Sequence, residues 1–336
     1  MTSNEVKKIW ITWERHRRTR ALADKFDAQL FEITHEGNRI VRYIYSALIT
    51  FKVLLQQRPD VLIVQTPSYV LAFFAVIYRS FFNYTLVLDA HNGVTFRLEY
   101  KSGGLFSLIK YAVSNADLVI VTSESVYPVI KQYQQSVINL PDCIPDIEMN
   151  PMPEVFKGLE SPLITLIASH QHDEPIEEIL RAFEQVVQNN TGQIIVTGKK
   201  PKGVRYAEFE GSPNIIFAGF LSYEDFDGLI FGSDLLIDVS TDPTVLVCGG
   251  YEAIAVGVPA LVSNSPVSRQ VFKKGFLYAD STVSSYAAEI TRFMDEREQY
   301  RHQIGLFKAE FIAAWEQSFS RVEEKIYNLR ASRNNN

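Results

Sequence analysis

Residues 240–265 read STDPTVLVCGGYEAIAVGVPALVSNS. The order is strand end, loop, helix, turn, strand. Gly249 and Gly250 leave little side chain where a helix begins, and Gly257-Val258-Pro259 stops it. Ala260-Leu261-Val262 then resumes extended structure. A helix start of this kind gathers backbone N–H groups and positive dipole, which suits an anion and above all a phosphate. Glu252 repels phosphate and so is expected to face hydroxyls. Together these features point to a nucleoside diphosphate with its ribose on Glu252. The competing account is an ordinary α/β crossover whose glycines only allow close packing.

Length and composition set the frame. The chain has 336 residues, 46% hydrophobic and 21% charged, enough for two domains with real cores. A net charge of -6 speaks against a general nucleic-acid binder. Cys143 and Cys248 stand far apart with no CxxC, so neither a disulfide framework nor a zinc site is expected, and a reducing compartment fits. Cys248 reads as a small buried residue. Met1 to Lys8 is polar, no signal peptide is expected, and Tyr69 to Tyr78 is too short to span a bilayer. The expected location is the cytoplasm.

The stretch from Thr244 to Ser263 resembles the donor-binding motif of GT-B glycosyltransferases of family 4, the group 1 type. That motif runs Glu, seven residues, Glu, then Ala, a small residue, Gly, any residue, Pro and an apolar strand. Glu252, Ala253, Gly257 and Pro259 match, and the first Glu falls on Thr244. The resemblance implies an α/β fold of two Rossmann-like domains facing across a cleft, with a terminal helix crossing back to the first. It also implies a nucleotide-sugar donor held by Thr244, Gly249, Gly250 and Glu252, with Glu252 on the ribose.

In the first half, Lys8–Thr12 (KIWIT) reads as a buried strand, followed by Trp13-Glu14-Arg15-His16-Arg17-Arg18. Ligands of open α/β sheets bind at the carboxyl ends of strands. Glu14, Arg15, His16, Arg17 and Arg18 are therefore candidates for an anionic acceptor, against a solvated helix start. Residues 38–57 form a helix with Ile40, Tyr43, Ile44, Ala47, Leu48, Phe51, Leu54 and Leu55 at helical spacing. Packing on the core is the expected use of that face, with membrane contact beside Arg39, Arg42 and Lys52 as the alternative. Phe73, Phe74, Phe81 and Phe82 raise the same pair of readings. The strand Tyr84–Leu88 delivers Asp89-Ala90-His91. A histidine can move a proton near neutral pH and a carboxylate can fix its tautomer. His91 and Asp89 are the catalytic candidates, and by resemblance His91 contacts the transferred sugar.

Residues 144–162 hold four prolines and read as the linker, with domains at 1–150 plus 315–330 and at 151–314. Strand Leu163–Ala168 leads to Ser169-His170-Gln171-His172-Asp173-Glu174. By resemblance a basic clamp on the diphosphate belongs here, and Ser169 and His170 are the candidates to substitute for it. The two histidines and two acids also allow a metal cluster, although acids before a helix are the simpler reading. Gly198 and Lys199 follow the next strand, where a lysine can meet phosphate oxygens. Phe220 falls in a segment that in the family meets the base. No metal or cofactor is expected.

These readings imply a metal-independent, retaining hexosyltransferase. It would move sugar from a UDP-sugar to a saccharide or lipid-linked acceptor in surface polysaccharide or glycolipid assembly, with possible peripheral contact at the inner membrane surface. The rivals are a non-catalytic nucleotide-sugar-binding protein and a GT-B nucleotide-sugar epimerase.

Overall fold

The computed structural model describes residues 6–334, apart from 16, 36, 67, 91–93, 95–97, 99–103, 123, 125, 189–190 and 200–207. The chain divides into two compact units. The first is residues Met1–Cys143 with Ala313–Asn336, and the second is Ile144–Ile312.

Unit 1 is a parallel sheet with order β2-β1-β3-β4-β5-β6. Its strands are β1 (Lys8–Thr12), β2 (Gln29–Glu32), β3 (Val61–Gln65), β4 (Thr85–Ala90), β5 (Leu118–Val121) and β6 (Val137–Asn139). Helices α1 (Arg17–Lys25), α2 (Arg39–Gln57), α3 (Tyr69–Tyr78), α4 (Gly104–Asn115) and α5 (Tyr127–Lys131) connect them. The strands β3, β4 and β5 are buried along their whole length. Near-continuous apolar runs are what a parallel sheet covered on both faces requires. Ile9, Ile11, Leu62, Val64, Leu86 and Leu88 share one core with α2, α3 and α4. On the alternate positions Trp10 packs against Phe26, and Phe26 against Phe319 of the last helix, with centroids 5.9 and 4.6 Å apart.

Strand β4 reaches further than the sequence suggested, so Asp89 and Ala90 lie inside it. Helix α2 departs from expectation in a different way. Its buried residues are Ser46, Ala47, Thr50, Val53 and Leu54, while Ile40, Ile44, Leu48 and Leu55 are exposed. The small residues face α3 and Trp13, where the Tyr78 hydroxyl donates to the Ala47 carbonyl at 3.0 Å and Trp13 Nε1 to Thr50 Oγ1 at 3.0 Å, and the large aliphatic side chains fall outward.

Unit 2 is a second parallel sheet with order β12-β11-β10-β7-β8-β9. Its strands are β7 (Leu163–Leu166), β8 (Gln193–Thr197), β9 (Ile215–Gly219), β10 (Leu235–Asp238), β11 (Ala260–Ser263) and β12 (Phe276–Ala279). Its helices are α6 (Ile176–Val187), α7 (Tyr223–Gly232), α8 (Cys248–Val256), α9 (Pro266–Val271) and α10 (Val283–Asn334). Alternation sorts the strand residues between two cores. Ile164, Leu166, Leu235 and Ile237 meet α6 and the start of α10. Leu236, Ala260 and Val262 meet α8, Phe272, Ile304 and Phe307.

Residues 144–162, read as the linker, begin where unit 2 begins and pack on it: Ile144 and Ile147 lie against its core, and Phe156 is buried. A Cβ on Gly228 would fall 2.2 Å from the Pro151 carbonyl oxygen, so this segment lies directly on α7. Helix α9 was not foreseen, although Ser265 accepts from the Ser268 N–H as its cap and Pro266 opens it. The last helical run, α10, is two helices joined at a kink at Glu296, where the backbone leaves helical geometry. Its last turns belong to unit 1: Trp315 donates to the Pro141 carbonyl at 3.0 Å, and Arg330 pairs with Asp60 at 2.8 Å. Among the described residues, no helix is long and apolar enough to cross a membrane.

Candidate functional site

A doubly wound sheet opens a crevice at the carboxyl ends of the two strands where its winding reverses. In unit 2 those strands are β7 and β10. The loop after β10 is tied to the loop after β7: Thr241 N–H donates to the Asp173 carbonyl at 2.7 Å, and Ser240 Oγ to Asp173 Oδ2 at 2.6 Å. The loop after β7 folds around a carboxylate. The backbone N–H groups of Ser169, His170 and Gln171 all donate to Glu174, and Ser169 Oγ donates to its Oε1 at 2.5 Å. His170 sits at φ 61 to make this turn. Its Nε2 lies 3.0 Å from the Thr197 carbonyl, which can only accept, so Nε2 carries the proton.

Ser169, expected to substitute for a clamp on the diphosphate, thus has its backbone N–H and its hydroxyl turned to Glu174. The acids of this run serve loop geometry. Among the described residues no group of three or more His, Cys, Asp or Glu could hold a metal ion.

Gly198 ends β8 at φ 84, and a Cβ there would fall 2.0 Å from the Ala168 carbonyl oxygen. Only glycine fits this approach of the two loops. Gly198 N–H donates to the Gly219 carbonyl at 2.8 Å, which sets the ends of β8 and β9 side by side. Lys199 and Phe220 follow these glycines, and both are exposed, Phe220 to 85%.

Helix α8 starts at the carboxyl end of β10. Gly249 N–H donates to Asp238 Oδ2 at 2.7 Å, and a Cβ on Gly249 would meet Asp238 and Ile167 within 3 Å. A Cβ on Gly250 would fall 2.3 Å from the Phe272 ring. The glycine pair is therefore required by packing, the competing account raised above, and the Gly249 donor is turned to a carboxylate of the protein itself. Glu252 sits one turn in and is buried, with 4% exposure. Thr244 is on the preceding loop, where its N–H and hydroxyl both donate to Asp242 Oδ1. Cys248, expected to be buried, is exposed.

Asp238 was missed by sequence reading. Burial pushes its carboxyl up to about 7, against the Gly249 hydrogen bond, and the charges of Glu252, Glu174 and Asp173 add to the rise. An acid closing an apolar strand at a winding reversal is the signal that could have found it.

In unit 1 the winding reverses between β1 and β3. There Thr12 Oγ1 meets Gln65 Oε1 at 3.0 Å. Arg18, placed by α1, is buried: its Nε and Nη2 donate to Asp89 at 3.1 to 3.3 Å, its Nη1 to Asp142, and its Nη2 to the Leu140 carbonyl. Burial alone would lower the Arg18 pKa, but the Asp89 and Asp142 carboxylates outweigh it and hold the guanidinium firmly charged. Arg18 is therefore an internal tie and not an exposed acceptor contact. Asp89, fully buried on that guanidinium, is not set up as a free base. Glu14 and Arg15 are exposed beside this tie. His91, His16 and the side chain of Arg17 lie outside the described residues.

Two doubly wound parallel units, with the end of the last helix packed on the first, make the GT-B fold. Residues 152–306 match the model of the family described as "Glycosyl transferases group 1". The resemblance read from the 244–263 motif therefore holds for unit 2. No curated protein matches the chain in sequence. Among solved structures, Anabaena Alr3699/HepE in complex with UDP-glucose is similar at TM-score 0.70 and 11% identity, over 94% of this chain and 99% of that one. Sucrose-phosphate synthase from Thermosynechococcus elongatus is similar at TM-score 0.67 and 14% identity, over 95% and 86%. A Listeria monocytogenes protein assigned as a UDP-N-acetylglucosamine 2-epimerase is similar at TM-score 0.64 and 13% identity, over 94% and 97%. The family match and the fold together support a glycosyltransferase.

Proposed function

We propose that this protein transfers a hexose-type sugar from a UDP-sugar to a saccharide or lipid-linked acceptor, in surface polysaccharide or glycolipid assembly. The observation that carries the reading is the start of α8. Glu252 is buried one turn inside a helix that opens at the winding reversal of unit 2, within the segment that matches the family.

In this reading Glu252 accepts hydrogen bonds from the ribose hydroxyls, and the exposed ring of Phe220 flanks the base. The bond from the anomeric carbon to the diphosphate oxygen breaks, and a bond to the acceptor oxygen forms. The acceptor hydroxyl gives its proton to the departing diphosphate oxygen. Positive dipole at the start of α8 and the Lys199 ammonium stabilise the departing diphosphate, so that no metal is needed. The anomeric configuration is retained. His91 contacts the sugar. Asp89 is a positioning residue: with Arg18 it fixes the end of β4, from which His91 follows. Glu14 and Arg15 meet the acceptor. A lipid-linked acceptor goes with a peripheral place on the cytoplasmic face of a membrane.

Titration calorimetry with UDP tests the donor half. Glu252→Ala is expected to weaken binding by about 10- to 100-fold, the worth of charged hydrogen bonds. His91→Ala is expected to keep the affinity and lose turnover. Unchanged affinity in Glu252→Ala would refute the assignment. The likeness to the Listeria protein motivates a second reading, a nucleotide-sugar epimerase. Conversion of the donor sugar with no acceptor present would favour it, and transfer of labelled sugar only when acceptor is added would remove it.

A further inference from the structure

Strand β10 ends on Asp238. Alternation puts this side chain on the face of Leu236, toward α8, while Ile237 and Val239 turn to the opposite core. There it lies under the first turn of α8. Its Oδ2 accepts the Gly249 N–H at 2.7 Å, and a Cβ on Gly249 would fall 2.6 Å from the Asp238 Cβ. The side chain is partly exposed, and Oδ1 has no hydrogen-bond partner among the described residues.

The charged groups that act on it are acids. Glu252 stands one turn into α8, and Asp173 and Glu174 stand on the loop after β7; the charge of each raises the Asp238 pKa. On either side, Ile167 after β7 and Val262 of β11 are apolar. Of the histidines in the loop after β7, His170 is turned to the Thr197 carbonyl and His172 is exposed. A diphosphate brought to the start of α8 adds further negative charge. Anions gathered so closely retain a proton among them. Asp238 is where burial already holds one, with its carboxyl pushed up to about 7. Hydrogen bonding decides what that proton does. Oδ2 is taken as an acceptor by Gly249, so the proton belongs on Oδ1, and a carboxylic acid with its O–H free is a donor to an anion. The site needs such a donor, since Ser169 is turned to Glu174 and the Gly249 N–H to Asp238 itself.

We propose that Asp238 binds the donor diphosphate as a neutral acid, its Oδ1–H donating to a phosphate oxygen while Oδ2 holds the start of α8. The proton stays on Asp238 and is separate from the one that the acceptor hydroxyl gives up. This rests on the donor site proposed above and makes donor affinity depend on pH. The free protein loses the proton as pH rises through about 7, whereas the complex keeps it to higher pH. Affinity is therefore full below about pH 7 and falls above it.

Titration calorimetry with UDP between pH 7 and pH 8.5 tests it, above the range in which a terminal phosphate itself titrates. Wild-type affinity is expected to fall about tenfold over that range. Repeating the titration in buffers of different ionisation enthalpy counts protons, and the uptake on binding is expected to approach about one at pH 8.5. Uridine, which has no phosphate, is expected to bind equally at both ends of the range. Asp238→Asn keeps an acceptor for Gly249 and an outward N–H donor with no charge to lose. It is expected to bind UDP independently of pH and, at pH 8.5, about tenfold more tightly than the wild type. A residue that merely held α8 in place would give neither the proton uptake nor this gain. The proton count is made on the wild type, so it tests the proposal whether or not the variant folds. UDP affinity that stays level, with no proton taken up, would overturn the proposal and leave the donor site standing. A slope retained in folded Asp238→Asn would overturn it too, because the proton would then sit on another group. Failure of UDP to bind at any pH would overturn the donor site and this proposal together.

Discussion

Replacing Asp238 by Asn is expected to change how the stability of unit 2 responds to pH. Burial pushes the Asp238 carboxyl from its ordinary 3.8 up to about 7. An acid with a raised native pKa keeps its proton in the folded chain after the unfolded chain has released it. Stability therefore falls as pH rises from about 4 to about 7, and is level above that. From pH 5 to pH 8 the loss covers about two pH units below the native value, or about 2.7 kcal/mol at 1.36 kcal/mol per unit. Asp238 is partly exposed, so this figure is a ceiling. The Asn variant retains an oxygen to accept the Gly249 N–H and removes repulsion with Glu252 and Glu174. Urea denaturation at pH 5, 6, 7 and 8, followed by far-ultraviolet circular dichroism, measures the difference. Trp10, Trp13 and Trp315 all belong to unit 1, so tryptophan fluorescence is an internal control. The wild type is expected to lose ground to Asp238→Asn by up to that amount between pH 5 and pH 8. Parallel pH profiles for the two proteins would refute the reasoning.

Arg18→Met is expected to cost unit 1 about 3–5 kcal/mol, because it removes the buried guanidinium that Asp89 and Asp142 share; a thermal melt read by tryptophan fluorescence checks this. Gly250→Ala is expected to destabilise unit 2 by about 1–3 kcal/mol through overpacking against Phe272, measurable by urea denaturation. Lys199→Ala is expected to weaken UDP by roughly 3- to 10-fold, the worth of one solvated charged contact, and to leave uridine affinity unchanged. Equal losses for the two ligands would place Lys199 away from the phosphates.

The architecture was legible because its signals are local. KIWIT, DVLIVQT and QIIVT are apolar runs of strand length bounded by polar loops, and each became a parallel strand. The motif around Glu252 was legible for the same reason, since glycine, acid and proline fix a crossover at short range. What escaped depends on contacts remote in sequence. The orientation of α2 is set by the small side chains of Ser46, Ala47 and Thr50 against the rest of unit 1, and helical spacing alone could not say which of two apolar stripes would be buried. Arg18 and Asp89 lie 71 residues apart, so nothing in the basic loop announced that one arginine was an internal tie. Gly249 was read as an anion donor, but its partner proved to be a carboxylate of the preceding strand.

The length of α10 has a consequence for anyone who would cut this protein apart. A fragment ending near residue 143 would hold every strand of the first sheet and still lack its last layer. Phe26 would lose the Phe319 ring, and Asp60 and Asp117 would lose Arg330 and Arg333. Severing the chain between the sheets would expose a greasy seam and take from Asp60 its Arg330 counterion, while Asp117 would keep Arg79. An excised first half needs residues 313–334 grafted back on, and a stop codon some twenty residues early would damage the domain made first by the ribosome.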